Sequence, residues 1–272
     1  MQTFRLTLEY DGSKYSGWQG QLHARTVQGE LKQAVNELFQ DEVEVQGAGR
    51  TDAGVHALGQ VAHLKLRKPA RLVPEQILRE LNQRLPSSIA VVELAEAAPR
   101  FHARHDAKSR AYLYKISTRK TALSKRYVWW VKEPLDVARM REAAALLAGR
   151  HDFDAFRAVD PSKPGDSTIV VVDSAEIAVD DNLIVFRIEA SHFLWKMVRR
   201  IVGTLVHAGK GEVSVDEFRA LLSGTKNPRL DIAAWTAPAS GLFLEGVRYL
   251  SRSTTFAAPQ DAANDARDGH RA

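Results

Sequence analysis

The sequence predicts an α+β chain in which one element order, β-α-β-β-α-β, occurs twice. Three observations carry this: short segments that alternate apolar and polar residues, longer segments with helical periodicity, and recurrence of the same order in both halves. The length of 272 residues, at about 150 residues per domain, also fits two units.

In the first half, residues 4–10 alternate as a strand, and Asp11-Gly12-Ser13 closes it as a turn. Thr26 is placed to cap a helix over residues 27–40, with Val27, Leu31, Val35, Leu38 and Phe39 on one face. A short strand over 42–46, the glycine-rich segment 47–54 and a strand over 58–66 follow. Pro74 opens a helix that Pro86 stops. Residues 89–94 read as the fourth strand. The order is that of the split β-α-β, or ferredoxin-like, unit.

The second half repeats the order without visible sequence identity. Residues 111–117 alternate as a strand, and 137–147 form a helix. Residues 169–178 and 183–190 make a hairpin around Asp180-Asp181-Asn182. A long amphipathic helix is predicted over 193–206, a short extra helix over 215–222, and a last strand over 241–249. The expected organisation is one ferredoxin-like unit over 1–105 carrying the glycine-rich loop, and a second over 106–250. The two tandem units, RRM-like in element order, are expected to form a sheet with helices on one side and a cleft between them. Residues 160–166 read as a loop. The polar tail 251–272 reads as disordered, because it buries too little apolar area to offset its ordering entropy.

Composition narrows the chemistry. Hydrophobic residues make up 44% and charged residues 26%, which is ordinary for a globular chain. No run of 18 uncharged apolar residues occurs, and the first residues lack an apolar signal core, so a cytoplasmic location is expected. With no cysteine in the chain, disulfides, thiolate metal sites and cysteine nucleophiles are excluded. Nine histidines leave a metal reading, with His102 and His105 three apart and His56 and His63 near a strand. No H-E-x-x-H pattern supports it. Neither a P-loop, nor G-x-G-x-x-G, nor the G-x-S-x-G of serine hydrolases is present.

Charge points to nucleic acid. The net charge is +5. Residues 100–132 contain Arg100, Arg104, Lys108, Arg110, Lys115, Arg119, Lys120, Lys125, Arg126 and Lys132 against the single acid Asp106. Tyr112, Tyr114, Tyr127, Trp129 and Trp130 are interleaved with them. Cations beside aromatic faces suit a phosphate backbone and unstacked bases. The competing reading is a solvated basic surface over core aromatics.

Three places are candidates for chemistry. Gly47-Ala48-Gly49-Arg50-Thr51-Asp52-Ala53-Gly54-Val55-His56-Ala57 sets a cation and a carboxylate two residues apart among glycines that permit close backbone approach. It also reads as a tight connection with surface charges. Arg199 lies in Lys196-Met197-Val198-Arg199-Arg200-Ile201-Val202-Gly203, where helical geometry would group Lys196, Arg199 and Gly203 and turn Arg200 away. The alternative there is a solvated stripe on a core helix. Tyr112 and Tyr114 share one face of a strand, and a packing tyrosine is the alternative.

These residues resemble the tRNA pseudouridine synthase A family. The resemblance rests on Tyr10-Asp11-Gly12, Gly17-Trp18-Gln19, Thr26-Val27-Gln28-Gly29 and above all Gly49 to Ala57. It continues in order through Phe101-His102-Ala103-Arg104, Tyr112-Leu113-Tyr114, Gly149 to Phe153, Phe156-Arg157, Met197 to Gly203 and Ala237 to Leu242. It covers roughly residues 4–250. It implies two ferredoxin-like units, a homodimer, and the anticodon stem-loop of tRNA around positions 38–40 as substrate. It implies Asp52 as the catalytic residue and Arg50 as the residue that helps displace the target base. Tyr112 would stack on the uracil and assist proton removal, and Arg199 would pair with Asp52. Many relatives carry an arginine where this chain has Val170. Gly20 and His23 also stand where relatives often have longer basic or polar residues.

The implied reaction breaks the N1–C1′ bond and forms a C5–C1′ bond. It is redox-neutral and adds no atom, so no cofactor is required. It needs an ionised carboxylate near the sugar, and a free aspartate is ionised at neutral pH. The target base must first leave the stack. The competing class is a non-catalytic RNA-binding protein of two RRM-like units. That class accounts for charge, aromatics and fold, but not for Arg50-Thr51-Asp52, since a carboxylate in an RNA groove repels phosphate.

Overall fold

The computed structural model describes residues 2–159, 165, 167–225 and 227–250. The expected disordered tail and most of the expected loop over 160–166 lie outside them. Among the described residues, ten strands form a single, mostly antiparallel sheet, with helices packed on one side.

β1 (Gln2–Tyr10) runs into a short 3₁₀ turn, Gly12–Lys14. α1 (Val27–Phe39) begins where predicted, because the Thr26 side chain accepts a hydrogen bond from the Gly29 amide. It ends at Gln40 in the left-handed region. β2 (Glu44–Gly47) and β3 (His56–Leu66) flank the glycine-rich loop. α2 (Pro74–Arg84) stops at an extended Leu85, the backbone forced on a residue before proline. β4 (Ile89–Ala97) completes the first half.

β5 (Ala107–Ser117) starts four residues earlier than the sequence pattern predicts. β6 (Trp129–Trp130), α3 (Val137–Ala145) and β7 (Gly149–Asp152) follow. β8 (Ile169–Asp180) and β9 (Leu183–Ala190) form the expected hairpin. α4 (Met197–Gly209), α5 (Val215–Leu221) and β10 (Leu242–Tyr249) end the described chain. The strand order is β4-β1-β3-β10-β5-β9-β8-β7, with β2 on β3 and β6 on β5. The two halves meet through a short parallel pairing, Phe243 with His56 and Leu244 with Ala57.

One sequence expectation is corrected, and one strand appears where the sequence carries no signal. The helix over 193–206 begins at Met197, because Lys196 has φ 60° and cannot continue a right-handed helix. Lys196 therefore does not share a helical face with Arg199 and Gly203. The segment 149–152 is a strand, although its residues Gly-Arg-His-Asp carry no strand pattern. It pairs with the start of β8, which supplies the apolar half of the contact.

Among the described residues, the larger apolar cluster runs beneath the sheet, and a small second one gathers Ala48, Val61 and Ala103. Leu31, Val35, Ile77 and Leu81 bury the apolar faces of α1 and α2 with Phe4, Leu6 and Leu8 of β1. Met140, Ile201, Val202 and Leu205 do the same for α3 and α4 with Tyr114, Phe186 and Ile188. Gly203 of α4 makes a close approach possible: a Cβ there would stand 1.7 Å from the Trp235 carbonyl oxygen. This approach lays the segment after Trp235 along α4, and the Ala237 amide donates to the Arg199 carbonyl at 3.0 Å.

Candidate active site

The loop between β2 and β3 is held from several directions. The Trp18 amide donates to the Thr51 carbonyl at 3.0 Å, and Thr51 Oγ1 meets the Tyr10 hydroxyl at 2.9 Å. Gln60 Nε2 donates to the Gly49 carbonyl at 2.9 Å. The Val55 amide closes a turn on the Asp52 carbonyl, and Gly54 takes φ +78° to complete it. Gly17 must also lack a side chain, since its Cβ would lie 2.5 Å from the Thr51 carbonyl oxygen. The loop backbone is thus fixed, and the Asp52 side chain remains partly open to the cleft.

Arg199 comes from α4 in the other half. Its Nη1 stands 3.6 Å from Asp52 Oδ2, and its Nε donates to the Ala237 carbonyl at 2.7 Å. That separation is an ion pair rather than a direct hydrogen bond. Arg200 points elsewhere and donates to the Arg157 carbonyl, as the helical offset predicts.

Tyr112 of β5 lines the same cleft and is nearly buried. Phe193 packs edge-on against it, with ring centroids 5.0 Å apart. Burial is the largest cause that pushes its phenol above the usual range, with nearby Tyr10 and Asp52 adding to it and Arg110 opposing. Its hydroxyl has no hydrogen-bond partner among the described residues. Tyr114 lies on the same strand face but is fully packed and donates to the Pro238 carbonyl at 2.7 Å.

Arg50 is exposed, and its Nε donates to Gln19 Oε1 at 3.1 Å. Gln19 in turn donates to Gln28 Oε1 at 2.8 Å, and Gln28 Nε2 donates to the Val45 carbonyl at 2.8 Å. A relay of two glutamines therefore anchors Arg50 to β2. All four predicted site residues, Arg50, Asp52, Tyr112 and Arg199, line one cleft of about 1930 Å³.

The cleft is cationic, but not for the reason the sequence pattern gives. Of the ten basic residues in 100–132, only Arg104 and Arg110 line it. Tyr127, Trp129 and Trp130 do not. Lys32, Arg50, Lys65, Arg67, Lys196 and Arg199 supply the remaining positive charge, against Glu42, Glu44 and Asp52. Arg110 spends its guanidinium on carbonyls, with donors at 2.9 Å from Ala48, 2.8 Å from Arg104 and 3.0 Å from Ser191. It ties the glycine-rich loop to the second half and is a structural clamp. Val170 is fully buried in β8 and does not face the cleft, whereas Gly20 lines it.

Sequence reasoning missed Gln19, Gln28, Gln60, Arg110 in its clamping role, and Phe193. Gln19 and Gln28 stood inside motifs already singled out, but nothing in the sequence joins them to Arg50. The histidine cluster is also explained. His63 Nδ1 accepts from the Ala103 amide, and His102 Nδ1 accepts from the Arg104 and His105 amides, so the rings hold a turn. Among the described residues no group of three His, Asp or Glu side chains is placed to hold a metal. Among them, too, no helix is long and apolar enough to cross a membrane.

Comparison with known proteins places the chain in a family. A family profile described as tRNA pseudouridine synthase matches residues 7–106 and 143–250. A tRNA pseudouridine synthase A from Rhodospirillum rubrum is 42% identical over 253 residues, covering 92% of this chain and 88% of the relative. Proteins of the same name from Moorella thermoacetica and Thermoanaerobacter sp. are 42% and 40% identical, over 92% of this chain and 100% of each relative. With the Gly-Arg-Thr-Asp loop clamped beside Arg199 and Tyr112, and the match spanning both halves, the chain belongs to the tRNA pseudouridine synthase family.

Proposed function

We propose that the chain isomerises uridine to pseudouridine in tRNA, at positions 38–40 of the anticodon stem-loop, with Asp52 as the catalytic carboxylate. The observation that carries this reading is the Asp52–Arg199 pair in a cationic cleft beside Tyr112. Glu42 and Glu44 of the same cleft pair with Lys32, His63 and Lys65 at its edge, whereas Asp52 is held by an arginine from the opposite half beside Tyr112, a placement that suits chemistry at the sugar and base.

The N1–C1′ bond breaks, a C5–C1′ bond forms, the C5 proton leaves to solvent, and N1 takes up a proton, so the product is an isomer of uridine. Asp52 acts at the sugar and base, and Arg199 holds its carboxylate while anchored on Ala237. Arg50, steadied by Gln19, occupies the space the flipped base leaves. Tyr112 stacks on the displaced uracil, and its hydroxyl assists removal of the C5 proton. The reaction is redox-neutral and draws on the chain's own side chains. The cations around the cleft hold phosphates without reading sequence, so recognition rests on RNA shape.

We read each half as a ferredoxin-like unit, the first over 1–105 and the second over 106–250. Supporting this, β4-β1-β3-β2 and β10-β5-β9-β8 are the same permutation of their four strands. The protein acts in the cytoplasm as a homodimer that holds tRNA across both subunits.

Tritium release from [5-³H]uridine-labelled tRNA tests the function. Release by the wild-type protein and none by Asp52→Ala supports it. Tight tRNA binding without release by either points to the non-catalytic RNA-binding class.

A further inference from the structure

We propose that Trp195 is a stacking platform for an unpaired base of the bound RNA, adjacent to the nucleotide on which Asp52 acts. The inference rests on the reading of the cleft as a tRNA site. Trp195 lies in the short segment between β9 and α4 and lines the same cleft as Asp52 and Tyr112. It is 47% exposed, a large apolar face on a wall rich in polar and charged groups. Its neighbour Phe193 is committed to Tyr112. Among the described residues, the Trp195 ring makes no ring–ring contact. Packing therefore gives no reason for an indole at this place.

The exposed ring stands on a fixed backbone. The Trp195 carbonyl accepts from the Ala158 amide at 2.8 Å, and the Met197 amide donates to the Leu194 carbonyl at 3.1 Å. Lys196 holds a left-handed conformation, φ 60° and ψ 5°, that costs a non-glycine residue free energy and persists where the surroundings impose it. This turn sets Trp195 outside the helix that begins one residue after Lys196. Lys196 Nζ lies 5.2 Å from the indole centroid, so a cation sits against the ring. A base stacked on the indole would bring its phosphate within the field of that ammonium. A rigid aromatic face with a cation beside it is the arrangement that takes up single-stranded nucleotides with little regard to sequence.

The test compares wild type with Trp195→Ala and Trp195→Phe, using an in-vitro-transcribed tRNA, its binding curve, steady-state kinetics and tryptophan fluorescence. Trp195→Ala is expected to weaken tRNA binding and raise KM by roughly 5- to 100-fold, with kcat changing much less. Trp195→Phe restores most of that loss, because a phenyl ring still stacks. Binding of tRNA quenches the fluorescence of wild type, and the part of the quench due to Trp195 disappears in Trp195→Phe. Unchanged binding and KM in Trp195→Ala, or a loss in Trp195→Phe equal to that in Trp195→Ala, overturns the proposal. If wild type binds and is quenched but forms no pseudouridine, the proposed activity fails while the platform stands. If wild type binds no tRNA, both fail.

Discussion

Arg199 secures the Asp52 carboxylate from the opposite half of the molecule, with Nη1 at 3.6 Å from Oδ2 and Nε fixed on the Ala237 carbonyl at 2.7 Å. The two contacts use different edges of one planar guanidinium, so the arginine is oriented before any substrate arrives. A lysine has one point charge and cannot serve both partners. Arg199→Lys is expected to lower kcat by about 10- to 100-fold while tRNA affinity changes little. Single-turnover pseudouridine formation beside a binding curve checks this, and equal kcat in both proteins would refute it.

Asp52→Asn keeps the shape of the loop and removes the charge. Pseudouridine formation should fall at least about a thousandfold, with tRNA bound as tightly or more tightly because a carboxylate has left a cationic cleft. Tritium release and filter binding on the same preparation separate the two effects.

Tyr112→Phe preserves the stacking face and removes a hydroxyl that has no partner among the described residues. The expected loss is about 100-fold in kcat, the scale of a proton-transfer contribution, with the dissociation constant unchanged. Tyr112→Leu should lose binding as well. Full activity of the phenylalanine variant would leave stacking as the only role.

Alkaline stability follows from four tyrosines. Burial raises the phenols of Tyr10, Tyr112, Tyr114 and Tyr249 above their ordinary value. Above about pH 10 the unfolded chain loses these protons while the folded chain keeps them, so stability present below pH 10 declines as pH rises. The two buried histidines act at the other end. Burial lowers His56 and His63 below the usual imidazole value, so their contribution is present above about pH 6.5 and is lost as pH falls. Melting temperatures measured from pH 5 to 11 should fall on both flanks. His56→Gln should make the acid flank shallower.

Gly203→Ala tests the approach between α4 and the segment after Trp235. The added methyl meets a backbone oxygen, which cannot turn aside as a flexible side chain can. A loss of at least about 2 kcal/mol is expected in urea unfolding. Activity should fall further than stability explains, since Ala237 would shift away from Arg199.

Much of the fold was legible because local signals agreed with the global outcome. Thr26 caps α1, Pro74 opens α2, and the alternation of β1 survives as a buried face. The loop carrying Asp52 was legible from its density of glycine and charge. The start of α4 was not, because Phe193 and Leu194 continue an apolar pattern whose break lies in the backbone of Lys196. The basic segment misled for a different reason. Charge density along a chain does not say which way each side chain points, and of the cations in 100–132 only Arg104 and Arg110 line the cleft. Lys32, Lys65 and Arg67 reach it from α1, β3 and the segment just after β3, far apart in sequence. The anchoring of Arg50 through Gln19 and Gln28 is likewise a product of folding that no spacing announces.

The position of β10 has a consequence for how the enzyme comes into being. This strand is the last element of the described chain, yet it lies between β3 and β5 in the middle of the sheet. During synthesis, the loop bearing Asp52 and the helix bearing Arg199 are both made before the strand that joins their halves. A nascent chain can fold each half in turn, but it has no continuous sheet until residues 242–249 have left the ribosome. A product truncated before β10 therefore carries Asp52 and Arg199 without the strand that joins their halves. The sheet makes catalytic competence a property of finished molecules.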